Sequence, residues 1–366
     1  MLERINIILA HIHQGLLSWI PSHSGDLAEV IDDWFLQNSL PEIALVAGTC
    51  KAAGGNPEDS KFLHVMTALL SEIISIEILN DFRKKNNSRA LWLKLGPEKA
   101  MHYSHMLQVL FGHLCMSLED DTTMNNQVLN KFRQSLLIVM SGTNKAATKE
   151  IPTWESYWKY IEISEAWLIG ALTEAGAALA TSQQPVTETC RNFGIHFGLA
   201  RHITNEIARF SEPGLQYQDH SNVNLGVLYG LHCQHSNQME LKQIVWQDQL
   251  ELHRKRVKEI LDTINTRDYL LWAALKEKNS ALEMIRQCPD KDGKDFLEVF
   301  TKEYFNRFPE LNRSENVQIP EDRKIEILHG SSDINSPFTG TLALDYQSIG
   351  LGIRKSIRNR PLQINY

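Results

Sequence analysis

The chain has 366 residues, a formal net charge of −7, 43% apolar and 22% charged residues. That balance supplies a sizeable core, excludes a disordered chain, and argues against a general polyanion binder, so no nucleic-acid partner is expected. Pro 12 and Gly 20 are both sparse, which favours long helices over a turn-rich β fold.

Apolar residues at three-to-four spacing, punctuated by Gly, Pro and Asn, predict helices over 2–19, 26–37, 41–53, 57–84, 97–117, 124–141, 153–182, 187–210, 222–235, 239–264, 266–277, 279–287 and 293–307. Several starts carry their own signal. Asn56-Pro57-Glu58-Asp59 offers an N-cap, a first-turn proline and first-turn acids, Gly96-Pro97-Glu98 repeats the style, and Thr153 opens a third. No strand alternation precedes residue 315, and no repeat marks a solenoid. The N-terminal stretch carries two His and no basic leader, so it reads as a structural helix. A helical domain over 1–308 is expected to end in an irregular tail, 309–366, whose Arg354, Lys355, Arg358 and Arg360 read as solvated charge.

Cys50, Cys115, Cys190, Cys233 and Cys288 lie far apart without a CxxC pair, which predicts buried, reduced thiols in a cytoplasmic chain. The most apolar stretch, 166–180, is short and carries Thr173 and Glu174, so no transmembrane segment is expected. His102, His105 and His113 fall on one helix face at metal-ligand spacing, yet exposed or hydrogen-bonded His is the plainer reading, as for His232 and His235. Asp290-Lys-Asp-Gly-Lys-Asp reads as a turn, because Gly293 comes too early for a calcium loop. Trp154, Trp158 and Trp167 at helical spacing read as core, with Trp167 also an aromatic face able to stabilise a cation.

Three stretches, in order, resemble the trans-polyprenyl diphosphate synthase family. They are LPEIALVAGTCKAAGGNPEDSKFLHVMTALLSEIISIEILND, KLGPEKAMHYSHMLQVLFG, and YWKYIEISEAWLIGALTEAGAALA followed by FGIHFGLARHITNEIARF. The resemblance spans roughly residues 35 to 235 and implies an all-α isoprenoid-synthase-like bundle around a central apolar cavity. In that family, paired Asp residues on two facing helices share Mg²⁺ ions that bridge an allylic diphosphate. Lys and Arg clamp the remaining phosphate oxygens.

Position by position the pattern is depleted. The first DDxxD motif aligns with Ile76, Glu77 and Asn80, with Asp81 beside it; the second aligns with Asn205, Glu206 and Arg209. The cationic pair downstream of the first motif aligns with Lys85 and Asn86. The Gly-Asp aligns with Ser104 and His105, the Lys-Thr pair with Ser164 and Glu165, the Gln with His202, and a later Lys with Asn222. Glu77 and Asp81 are one turn apart and share a helix face. Each lost carboxylate removes an attraction worth about 4 kcal/mol at 4 Å and an effective dielectric near 20, before desolvation. The resemblance therefore implies a weakened Mg²⁺ site on Glu77, Asp81 and Glu206. Glu77, Asp81, Asn205 and Glu206 are the expected polar centre, with Asn80, Lys85, Arg201, His202 and Arg209 as contacts to a prenyl diphosphate. Arg201, Asn205 and Arg209 also share one face, where two guanidinium groups could receive an anion without metal. Ordinary elongation with isopentenyl diphosphate is not expected. Two readings stand: a non-standard prenyltransferase or terpene synthase, or an inactive homologue serving as partner of an active synthase, as a homodimer or heterodimer. An unrelated helical interaction protein is a third.

Overall fold

The computed structural model describes residues 2–20, 25–37, 41–84, 91–117, 123–145, 153–211, 224–247, 249–250, 252–306, 308 and 311. Residues Met1–Ile325 form one compact unit and Glu326–Tyr366 a second; every residue of the second lies outside the described set, including the basic tail residues. The described residues contain helices and no strand. In chain order these are α1 (Leu2–Ser18), α2 (Gly25–Gln37), α3 (Pro41–Ala52), α4 (Ser60–Lys84), α5 (Leu91–Leu95), α6 (Pro97–Ser117), α7 (Thr123–Lys145) and α8 (Trp154–Ile161). After a π-helical turn (Glu162–Ala166) come α9 (Trp167–Ala178), α10 (Gln184–Ser211), α11 (Leu225–His232), α12 (Gln238–Trp246), α13 (Arg254–Thr263), α14 (Thr266–Arg286) and α15 (Lys291–Asn306). The all-α bundle read from the sequence is thus observed.

Local chemistry sets the boundaries. Thr153 caps α8 by accepting the Ser156 N–H at 3.1 Å, and Pro97 opens α6 after Gly96, whose φ of +85° suits glycine. Asn56 does not cap a helix at Pro57. It closes an Asx turn onto the Glu58 N–H at 3.2 Å, and α4 starts three residues later than expected. The helix expected over 153–182 is interrupted, because Trp167 N–H bonds Glu162 O and inserts a π turn. The helix expected over 239–264 is two, leaving at Gln247 and re-entering at Arg254; the pair expected over 266–287 is one. Asn265, at φ 55°, takes the left-handed conformation between α13 and α14, which Asn tolerates. Asp290 is a turn residue as read: it caps α15 through the Gly293 N–H at 2.8 Å and takes Lys51 Nζ at 3.3 Å.

Packing follows the apolar faces. α1 buries Ile5, Ile8, Ile12 and Leu16 and lies on α4. The most apolar long segment is Ser60–Leu79 of α4, not 166–180; its mean hydropathy of 1.7 would suit a membrane span, and 78% of it is buried inside the protein. That burial accounts for its composition. α10 lies between α9 and α14, and its approach to α9 is set by missing side chains. A Cβ on Gly194 would fall 2.1 Å from Thr173 Oγ1 and 2.7 Å from Ile169 O, and one on Gly198 would fall 2.7 Å from Ala166 Cα. The FGIHFG spacing thus brings the α10 backbone against α9 and the π turn.

Candidate functional site

The polar centre is built from α2, α3, α4, the π turn, α10 and α15. α4 presents Glu77, half-buried, whose Oε2 accepts the Trp34 Nε1–H of α2 at 3.0 Å. α10 presents Arg201, whose Nη1 donates to Glu42 Oε1 of α3 at 2.6 Å, with the two side chains only 22% and 12% exposed. Burial, reinforced by Glu42, pushes the Glu77 carboxyl up to about 7, against the Trp34 hydrogen bond and the Arg201 charge, while Asp81 raises it further. Burial works against the Arg201 cation, but Glu42, then Tyr304 of α15 and Glu165 of the π turn hold it above its usual value. One guanidinium therefore sits within electrostatic reach of Glu42, Glu77 and Glu165.

The structure brings Glu77, Asp81 and Arg201 into one electrostatic group. Glu206 has a different assignment: buried, it accepts the Leu225 N–H at 3.3 Å beside Asn224, which caps α11 through Val227 N at 2.8 Å. A carboxylate at a helix N-terminus is stabilised there by the exposed N–H groups. Asn205 is exposed, and His202 Nε2 meets Tyr157 Oη at 3.1 Å. Lys85 lies outside the described residues, as do the side chains of Asn80 and Arg209. Arg201, read as an anion receptor, is instead committed to Glu42.

The other expected features lie apart from the polar centre. His102, His105 and His113 are exposed, and His113 sits edge-on to Trp19 at 5.1 Å. His235 meets Gly230 O at 2.8 Å. Trp154 and Trp158 are core. The Trp167 ring is covered by the Arg191 guanidinium at 4.2 Å, so that face already holds a cation. Ser164, aligned with the family's phosphate-binding pair, has a buried hydroxyl with no hydrogen-bond partner among the described residues, and the same holds for Trp158 Nε1, Trp167 Nε1 and Glu72 Oε2. A cavity between α7 and α9, lined by Val128, Phe132, Ala171 and Glu174 among others, holds about 10 Å³, which is room for one water.

Mg²⁺ takes six oxygens at about 2.1 Å and favours converging carboxylates. Among the described residues no three His, Cys, Asp or Glu side chains converge to hold a metal ion. Glu77 shares its surroundings with Arg201, Glu206 is turned to the α11 N-terminus, and a guanidinium lies where a divalent cation would be repelled. The described donors do not fit the expected ion.

Sequence reasoning missed Glu42 and Trp34. Glu42 lies in LPEIA and Trp34 in IDDWF, and neither belongs to a motif that marks a site. Both become site residues only through contacts 159 and 43 positions away, which no local pattern announces.

No known family profile and no curated protein sequence matches the chain. Solved structures do. The decaprenyl diphosphate synthase of Rhodobacter capsulatus superposes with a TM-score of 0.72 at 13% identity, covering 84% of this chain and 97% of that one. The geranylgeranyl pyrophosphate synthetase of Pyrococcus horikoshii gives 0.69 at 16% identity, covering 82% and 96%. A polyprenyl synthase from Caulobacter crescentus, solved with calcium and isoprenyl diphosphate, gives 0.64 at 15% identity, covering 82% and 93%. The helix order and these superpositions together give the chain the isoprenoid-synthase fold of the prenyl diphosphate synthases.

Proposed function

We propose that this chain is a non-catalytic, cytoplasmic subunit of that fold, which pairs with an active prenyl diphosphate synthase. The observation that carries the reading is the Arg201–Glu42 pair beside Glu77: a resident guanidinium is already committed to one acid and offsets part of the charge of the others. A diphosphate brings negative charge that the fold's enzymes offset with metal ions, and the described residues of this polar centre offer it a carboxyl raised by burial and a cation already engaged.

A pairing surface is supported by α6 and α7. Met101, His105, Val109, His113 and Met116 run as an exposed stripe along α6, with Val109 73% exposed, and Leu137 on α7 is 52% exposed. Side chains of that kind on consecutive turns are costly to leave in water and suit a helical partner.

The test incubates the purified protein with C10–C20 prenyl diphosphates and Mg²⁺ and measures diphosphate release, alongside co-expression with an intact synthase. The expected result is no release, no effect of Glu77→Ala or Glu206→Ala, and a complex that co-purifies and is lost on Val109→Glu. Mg²⁺-dependent release that Glu77→Ala abolishes would instead establish the non-standard prenyltransferase.

A further inference from the structure

Two thiols outside that site meet in the core. Cys190, in the second turn of α10, and Cys288, just past the end of α14, bring their sulfurs to 3.7 Å. They are 1% and 3% exposed. A disulfide needs about 2.05 Å between sulfurs, so an approach of under about 2 Å would close one. Side-chain rotation has to supply that movement, because both backbones are held: Cys190 lies within a long helix, and in the turn joining α14 to α15 the Cys288 N–H bonds Ile285 O at 3.0 Å and the Asp290 N–H bonds Ala52 O at 3.0 Å.

We propose that Cys190 and Cys288 form a peroxide-oxidised disulfide that ties α10 to the α14–α15 turn. The Cys288 thiolate attacks one peroxide oxygen and the O–O bond breaks. The departing hydroxide takes up the Cys288 proton as water, leaving a sulfenic acid on Cys288. The Cys190 sulfur then attacks that sulfur. The S–O bond breaks, the S–S bond forms, and the hydroxyl leaves as a second water with the Cys190 proton. Two thiols lose two electrons and two protons, and one peroxide becomes two waters.

The surroundings assign the roles. The hydrogen bond shared with Cys190 holds Cys288 below its ordinary value, helped by Lys294, whereas Cys190 is raised. Thiolate character therefore collects on Cys288, the attacking group. Cys50, the third thiol near Cys190, is pushed up to about 12 by burial and is a poor competitor.

The test treats the full chain with hydrogen peroxide, alkylates the remaining thiols under denaturing conditions, and maps peptides by mass spectrometry. The expected result is a Cys190–Cys288 linked pair, lighter than its two peptides by two hydrogens, with Cys50, Cys115 and Cys233 alkylated. The melting temperature should rise by roughly 5 °C, and dithiothreitol should cancel the rise. Cys288→Ser should lack both signals and leave Cys190 alkylatable. Recovery of both thiols unlinked, their overoxidation without linkage, or Cys50 in the major linked pair would overturn the assignment. The peptide map of the unmodified sequence decides this without the variant.

Discussion

Replacing Arg201 by Met removes the cation of the polar centre while keeping most of its volume. The ion pair with Glu42 is short, at 2.6 Å, and its partners are 22% and 12% exposed. Removing one member of such a pair leaves the other charge desolvated, which costs about 3–5 kcal/mol. Glu77 also loses the attraction that opposes its burial. We expect Arg201→Met to lower unfolding stability by about 3 kcal/mol at pH 8, or roughly 5 °C in melting temperature for a domain of this size. The double variant Arg201→Met/Glu42→Gln leaves no orphaned charge on that pair and should recover at least half of the loss. Urea titration followed by circular dichroism measures both. Millimolar Mg²⁺ should not move the wild-type midpoint, because an ion that binds the native state would raise it by mass action. A single variant within about 1 kcal/mol of wild type, or a double variant no better than the single, would refute the claim that Arg201 supplies the countercharge.

Glu77 gives a pH signature. A carboxyl raised from 4.5 to about 7 binds more protons folded than unfolded, so its contribution to stability is lost as pH rises between those values. Glu77→Gln should flatten that decline and stabilise the protein by roughly 2–3 kcal/mol at pH 8, read as urea midpoints from pH 5 to 8; an unchanged slope would place the carboxyl near its ordinary value. Gly194→Ala would set a methyl 2.1 Å from Thr173 Oγ1 and force α10 off α9. The expected loss is about 2–3 kcal/mol, and thermal melts would contradict the close approach if Ala were tolerated within about 0.5 kcal/mol.

The bundle was legible because helix periodicity and capping are local. The starts at Pro97 and Trp154 follow from Gly96-Pro97 and Thr153, and the glycines of FGIHFG mark the crossing with α9. Misreadings fell where a tertiary or backbone event overrides periodicity. The π turn at Glu162–Ala166 leaves no trace in an apolar pattern that continues through it, and the break after Trp246 interrupts a regular helical spacing. Of the polar centre, Glu77 and Asp81 were named from alignment of motifs and Arg201 from its helix face, but the partners that set their electrostatics were not legible. Glu206 shows the limit of carrying a role by position: its carboxylate lies where a motif acid should, and the α11 N-terminus takes it.

The charges of the polar centre also explain why its departures from the family pattern belong together. Glu42, Glu77, Asp81 and Glu165 around a site without a strong cation would repel one another. Arg201 relieves part of that, and the protein answers the remainder by holding a proton on Glu77 near neutral pH. A divalent cation arriving there would have to expel that proton and face the guanidinium, two costs that an aspartate pair never imposes. Restoring one acid, as in Asn205→Asp or Asn80→Asp, changes neither term. Recovery of cation binding therefore requires losing Arg201 as well as gaining carboxylates, so single reversions toward the family motif should leave the protein without Mg²⁺-dependent stabilisation, whereas reversions combined with Arg201→Met should acquire it. A single reversion that raised the melting temperature in Mg²⁺ would show that charge at Arg201 does not govern the site.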